Sequence, residues 1–420
     1  MDADTGTGGS IRFTSITIRQ DARHLFVEVP FLRDKPGSSF FKTERIYQDM
    51  KTIQGKFAEA KIYSDTCEDY AAAQIQMLCD NETAENAVIR VMPDVHPGKV
   101  GTVGLTMTVG KRLIPYLLGG DIGCGVSCVV FKTKKIEGKQ LDAVIRERVP
   151  SGIAIRQEIH RYGEEAHLEE LLCFRHVQEK KALLSLGTLG GGNHFIEVDR
   201  DEEGNHYLAV HSGSRHLGVE VTEYYQNLAY QACRERGIPH PISFLEGEQL
   251  EAYLHDVGIV QRFAALNRAC ILDEICKGMK WKAIDRLDTV HNYVAELSDG
   301  TPLLRKGAVS AQQGERLLIP IHMKEGMLLC EGKGNPDWNF SAPHGAGRVY
   351  RRDQVKEHFT VSDYKREMKG IYSSCISRDT LDEAPFAYRS AEEIRKQTEE
   401  TVWIRKVLRP VYNFKAGGNR

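Results

Sequence analysis

Six short runs of the chain read as strands, by alternation or by β-branching, and each is too brief to form a layer on its own. They are SITIRQ (15–20), AVIRVMPDV (87–95), VGLTMTVG (103–110), VSCVVFKT (126–133), HFIEVDR (194–200) and HYLAVHSG (206–213). Two of them, 103–110 and 206–213, end in glycine. Helical periodicity occupies other stretches: 164–184, 222–236, 257–279 and 390–408, the first and last rich in i,i+4 opposite charges. No Pro/Ser linker, low-complexity tract or internal repeat divides these pieces, and the polar glycine motifs are spread over almost the whole length. This predicts an α+β fold in one large domain spanning 1–420, with its site assembled from distant segments and with 1–60 as an N-terminal extension of undefined role.

The chain is long enough for such a domain: 420 residues with 41% hydrophobic side chains bury a full core. The formal net charge is −2, so no strong overall field attracts a polyanion, and any nucleic-acid site has to be a local patch. Ten cysteines are scattered without a CxxC pair, which argues against a zinc ribbon or a disulfide framework and for a reducing, cytoplasmic setting. The start MDADTGTGGSIRF lacks the pattern of a secretory leader, and no apolar run approaches membrane-spanning length. In the extension, Arg12, Phe13, Arg19, Phe40, Phe41 and Lys42 are equally readable as RNA contacts or as ordinary surface and core.

Five places carry residues suited to chemistry. MPDVHPGKVG sets Asp94 and His96 at a strand end, and LGGDIGCGVSC sets Asp121 and Cys124 three apart in a glycine-rich turn. LGTLGGGNHFIEV leads from three glycines to Asn193, His194 and Glu197; LAVHSGSRHLG supplies His211 and Arg215; VHNYV supplies His291. Taken singly, each is more readily a turn residue or a satisfied core residue than a ligand. As a set, one thiolate, one carboxylate and three imidazoles suit Mn²⁺, Zn²⁺ or Fe²⁺ better than Ca²⁺ or Mg²⁺. Five ligands exceed one tetrahedral site, so a residue bridging two metals is a natural arrangement, and two metals are the usual clamp for displacement at phosphorus. Arg215, Arg305, Lys306, Arg348, Arg351 and Arg352 follow the same loops and are candidates for holding phosphate. In SAPHGAGRVYRR, Pro343 fixes the entry to a loop in which glycines flank His344 and Ala346, and Arg348 follows.

The combination PDVHPG, GGDIGCGV, LGGGNHFIE, HSGSRHLG, HNY, RKGA, PHGAGR and DEAPFAYRS resembles the RtcB-type RNA ligase family, in that family's order, from about residue 85 to the C-terminus. The resemblance implies a fold with β-sheets lining a central metal cleft and helices at the periphery. It also implies a GTP-dependent enzyme using two Mn²⁺ ions to join RNA 3′-phosphate or 2′,3′-cyclic phosphate ends to 5′-hydroxyl ends. Asp121, Cys124, His194, His211 and His291 match the family's metal ligands. Asn193, Glu197, Ala346 and Lys415 match its nucleotide contacts, His344 its guanylylated nucleophile, Asp94 the carboxylate that orients it, and Arg348 a catalytic cation.

The chain departs from the usual pattern at three points. IHMKEGMLLCEGKG places His322 and Met327 where the family has serines, VYRR follows HGAGR in place of MSR, and RLIPYLLGG precedes Asp121. These departures resemble the divergent branch associated with the release-factor-like protein PrfH, which implies repair of broken RNA and a release-factor-like partner. The competing reading is a two-metal RNA phosphoesterase or cyclic phosphodiesterase without a covalent nucleotide. Such an enzyme needs metals and water but no nucleophilic histidine, so His344 is the discriminating residue.

Overall fold

The alternating runs pair into two large sheets in the computed structural model, which describes residues 51–416. One has six strands in the order Lys51–Gln54, Glu59–Ile62, Ile89–His96, Val103–Thr108, Pro302–Lys306 and Asn292–Glu296. The other has seven, in the order Asp285–Val290, Gly125–Phe131, His206–Ser212, Phe195–Arg200, Val402–Lys415, Gly326–Gly332 and Arg316–His322. Gly125–Phe131 and His206–Ser212 are buried at every position, which is why they read as near-continuous apolar runs. The result is the α+β architecture that the pattern predicts. The run SITIRQ, and the six candidate RNA-contact residues of the N-terminal extension, lie outside the described residues.

The helix Glu248–Met279 lies against the seven-stranded sheet and buries Val260, Phe263, Ala264, Ile271 and Ile275 at helical spacing. Each of the fully buried valine, phenylalanine and isoleucine side chains contributes roughly 1.5–3 kcal/mol. Helix His216–Cys233 packs beside it, and Tyr225 of one stacks obliquely on Tyr253 of the other, with ring centroids 5.1 Å apart. The ten cysteines are all free, and most are buried.

Two expected helices are corrected. Over 164–184 the chain forms 3₁₀ turns, and only Glu179–Ser185 is α-helical. His167 is left-handed at φ 45°, and the buried Asp256 carboxylate captures the amides of Leu172 and Cys173, so this stretch is tied down as loop. Its i,i+4 charge pairs supply only about 0.2–0.5 kcal/mol each and do not outweigh those contacts. Over 390–408 the helix stops at Gln397 and a strand runs from Val402 to Lys415. That strand pairs on one side with Gly326–Gly332 and on the other with Phe195–Arg200, and this ladder overrides local helical preference.

Candidate active site

Sheet register brings the proposed ligands to one level. His211 pairs with Val126 and with Phe195, and Val290 pairs with Gly125. Cys124, His194 and His291 each sit one residue beyond those partners, so four ligand-bearing segments end side by side at one end of the seven-stranded sheet. Lys415 pairs with Phe195 at the same end.

Side chains converge accordingly. Cys124 Sγ lies 3.3 Å from His211 Nε2 and 3.6 Å from His194 Nε2, and His211 Nε2 lies 3.4 Å from His291 Nε2. Two groups of ligand atoms result, Cys124 with His211 and His291, and Asp121 with Cys124 and His194; Cys124 belongs to both. His194 Nδ1 is 2.9 Å from the Leu189 carbonyl and His211 Nδ1 is 3.2 Å from the Asn193 carbonyl. Each carbonyl accepts a hydrogen bond from Nδ1–H and leaves Nε2 with its lone pair, the usual arrangement behind a metal-binding imidazole. Burial holds the three imidazoles below their ordinary range and raises the Cys124 thiol. The imidazoles are therefore neutral and ready to ligate, whereas the thiol requires a cation to draw off its proton. Gly213 keeps this centre open: a Cβ there would stand 2.5 Å from Asp121 Oδ1.

His344 follows the short strand Ser341–Pro343, which pairs with Ala308–Ser310. Its ring lies 4.9 Å from the His291 ring, centroid to centroid. Asp94 Oδ2 is 2.6 Å from His344 Nδ1 and accepts the backbone N–H groups of His344 and Gly345. The imidazole contact is close but bent away from the ideal hydrogen-bond line. Burial pulls the His344 imidazole down, the Asp94 carboxylate pulls it up, and the net shift is upward. Gly347, at φ 70°, crosses Asp94 so closely that a Cβ would stand 3.1 Å from its Cα.

One cavity connects the two centres. Its walls include His211, His291 and His344 together with Asn193, Glu197, Ala346 and Lys415, so all four nucleotide-contact candidates face the same space as the nucleophile candidate. Asn413 donates to Glu197 at 2.6 Å. Burial, only partly offset by Asn413, pushes the Glu197 carboxyl up to about 7.

The wall also holds residues that sequence reasoning did not single out. Glu383 is buried, receives Lys415 Nζ at 2.6 Å and Tyr388 Oη at 2.5 Å, and pairs with Arg348 and Arg352. Although burial raises its carboxyl, Lys415, Arg352 and Arg348 bring it down to about 2. The motif DEAPFAYRS contained Glu383, but nothing in a linear pattern shows that three cations converge on it. His96, noted only for its place at a strand end, also lines the cavity.

The basic candidates divide. Arg348 lines the cavity, but its guanidinium is tethered to Glu383, the Tyr388 hydroxyl and the Asp382 and Tyr350 carbonyls. Arg352 lines it too, while Arg215 is bound among Thr188, Leu189, Gly152 and His194 behind the metal candidates. Arg305 is corrected as a phosphate-holding candidate: it is buried, donates to Ser341 and the Tyr293 hydroxyl, and is absent from the cavity wall. Lys306 is buried with Nζ 3.3 Å from the Leu118 carbonyl, and burial lowers it to about 8. Arg351 is exposed and pairs with Asp353. No helix among the described residues is long and apolar enough to cross a membrane.

Comparison with known proteins identifies the family of the chain. The family described as tRNA-splicing ligase RtcB matches residues 79–173 and 164–416. The RNA-splicing ligase RtcB1 of Escherichia coli is 30% identical over 363 residues, covering 77% of this chain and 88% of the relative. The tRNA-splicing ligases RtcB of Aeropyrum pernix and Thermococcus kodakarensis are each 27% identical, covering 76% and 74% of this chain and 86% and 83% of the relatives. The chain belongs to the RtcB family.

Proposed function

We propose that this protein is a GTP-dependent RNA ligase that joins RNA 3′-phosphate or 2′,3′-cyclic phosphate ends to 5′-hydroxyl ends, with His344 as the covalent nucleophile. The observation that carries this reading is the pairing of His344 Nδ1 with Asp94 at 2.6 Å inside the cavity that His211 and His291 also line. A carboxylate on Nδ1 holds the proton there and leaves Nε2 with its lone pair. Nε2 attacks the α-phosphorus of GTP; the N–P bond forms, the bond from α-phosphorus to the bridging oxygen breaks, and pyrophosphate leaves. A 2′,3′-cyclic phosphate end is first opened by water, which adds to phosphorus as the bond to O2′ breaks and leaves a 3′-phosphate with a free 2′-hydroxyl. An oxygen of the 3′-phosphate then displaces His344, giving an RNA end capped through a diphosphate to guanosine. The 5′-hydroxyl of the second RNA attacks the RNA phosphorus, loses its proton, and expels GMP.

Asp121, Cys124, His194, His211 and His291 would hold two Mn²⁺ ions, with Cys124 shared, and these ions when bound neutralise phosphate oxygens. Glu197, Asn193, Ala346 and Lys415 would contact the guanosine nucleotide. The whole chain, 1–420, would act as one catalytic unit in the cytoplasm. The departures at His322 and Met327 support membership of the branch that works in RNA repair beside a release-factor-like partner.

The test is a joining assay with an RNA bearing a 2′,3′-cyclic phosphate and one bearing a 5′-hydroxyl, supplied with GTP and Mn²⁺. The proposal requires GTP-dependent joined product. Opening of the cyclic phosphate, with no joining and no need for GTP, would identify a phosphoesterase.

A further inference from the structure

Two adjacent polar residues sit in the most apolar part of the long helix. Asn267 and Arg268 are both fully buried within Glu248–Met279, at positions where the helical pattern calls for core side chains. Burying an arginine costs several kcal/mol before its partners offset it, and an apolar residue there would often leave the fold equally stable. The identity of the partners is therefore informative.

Arg268 NH1 donates to the Gly123 carbonyl at 2.6 Å and to the Ser212 carbonyl at 3.2 Å. Its Nε reaches Ser127 Oγ at 2.7 Å, and its NH2 straddles the Asp288 carboxylate at 3.0 and 3.1 Å. Gly123 lies between Asp121 and Cys124, Ser212 follows His211, and Asp288 is on the strand that leads into His291. Asn267 completes the set. Its Oδ1 accepts the amides of Gly187 and Thr188 at 2.8 and 3.1 Å, and its Nδ2 donates to Thr188 O, Ser212 Oγ and Gly213 O at 3.2, 3.0 and 3.0 Å. Thr188 precedes Leu189, whose carbonyl fixes the His194 ring. Two neighbouring side chains thus reach every segment that presents a candidate metal ligand.

We propose that Asn267 and Arg268 are positioning residues that set the spacing of the metal-binding loops, so that Asp121, Cys124, His194, His211 and His291 present their donor atoms at the distances two cations require. The inference rests on the metal-site reading above. The planar, five-donor guanidinium is suited to this, because it binds carbonyls and a carboxylate at fixed angles while a lysine ammonium does not. Substituting a partner that orients metal ligands typically weakens metal affinity 10- to 100-fold.

The experiment is Mn²⁺ titration of full-length protein, followed by electron paramagnetic resonance of the free ion, with thermal unfolding of the metal-free protein measured in parallel. The variants are Arg268→Lys, Asn267→Ser and, as a control, Asp256→Asn. Asp256 is equally buried in the same helix but binds the Leu172 and Cys173 amides, which carry no ligand. Arg268→Lys and Asn267→Ser should each weaken Mn²⁺ binding about 10- to 100-fold. Asp256→Asn should lower the unfolding temperature and leave Mn²⁺ affinity at the wild-type value. Wild-type Mn²⁺ affinity in both Arg268→Lys and Asn267→Ser overturns the proposal, as does an equal loss in Asp256→Asn. A wild-type protein that binds no Mn²⁺ overturns the metal reading itself, and the proposal with it.

Discussion

Asp94 and His344, 250 residues apart in the chain, meet at a single carboxylate oxygen: Oδ2 is 2.6 Å from the imidazole Nδ1 and also holds the His344 backbone amide at 3.0 Å. One carboxylate oxygen therefore anchors the backbone of the His344 loop and sets a negative charge beside the imidazole Nδ1. Asp94→Asn keeps an acceptor near the backbone amide but removes the charge. Guanylylation should fall by about 10²–10⁴-fold, the range for losing a positioned acid–base partner. The unfolding midpoint of this variant should stay close to the wild-type value, and rapid-quench kinetics on the variant check the rate. A rate within a factor of two or so of wild type would remove Asp94 from the account.

Cys124 belongs to both ligand groups, so Cys124→Ala should reduce the Mn²⁺ bound per chain from two to one or none and abolish joining. Circular dichroism of the metal-free variant should be unchanged, since the missing atom is a small buried sulfur. Metal analysis that still finds two tightly bound ions would show that Cys124 is not the bridge.

Gly347 passes over Asp94 at φ 70°, and a Cβ there would stand 3.1 Å from the Asp94 Cα and carbonyl oxygen, so Asp94 would have to give by a few tenths of an ångström. Gly347→Ala should displace Asp94 or the His344 loop, and the strain of a left-handed alanine adds a cost of about 1–2 kcal/mol. Activity should be lost beyond what that destabilisation explains. The check is to compare residual guanylylation with the folded fraction at the assay temperature; a proportional decline would mean that the glycine serves stability alone.

Glu383 gives a pH signature. Its folded carboxyl lies near 2, below the ordinary value of about 4.3 for an unfolded glutamate. A depressed folded value means that the stabilisation is fully present above about pH 4.3 and is lost as pH falls through the folded value near 2. A shift of that size corresponds to roughly 3 kcal/mol. Denaturant unfolding should show Glu383→Gln less stable than wild type by that order at pH 7, with the gap narrowing as pH falls towards 2. A gap that stays constant with pH would assign the loss to packing.

The central strands and their ends were legible because alternation and β-branching mark them, and register then carries Cys124, His194, His211 and His291 to one level. His344 and Asp94 were legible as motif residues, although their distance was not. What escaped was whatever tertiary contacts decide. Charge pairing over 164–184 suggested a helix, but Asp256, far along the chain, claims its amides. Arg305 looked available to phosphate because a linear pattern does not say which face of a short strand points inward; it points into the interior, towards Ser341. Glu383 and Arg268 were hidden for the same reason, since a buried charge is recognised only through its partners.

The most direct measurement of the central claim is incubation with α-radiolabelled GTP and Mn²⁺, followed by denaturing electrophoresis and mapping of the labelled peptide. The account predicts label on His344 through an acid-labile, alkali-stable phosphoramidate, absent from His344→Ala together with all RNA joining. Label on Lys415 or another lysine, or joining that persists in His344→Ala, would contradict it.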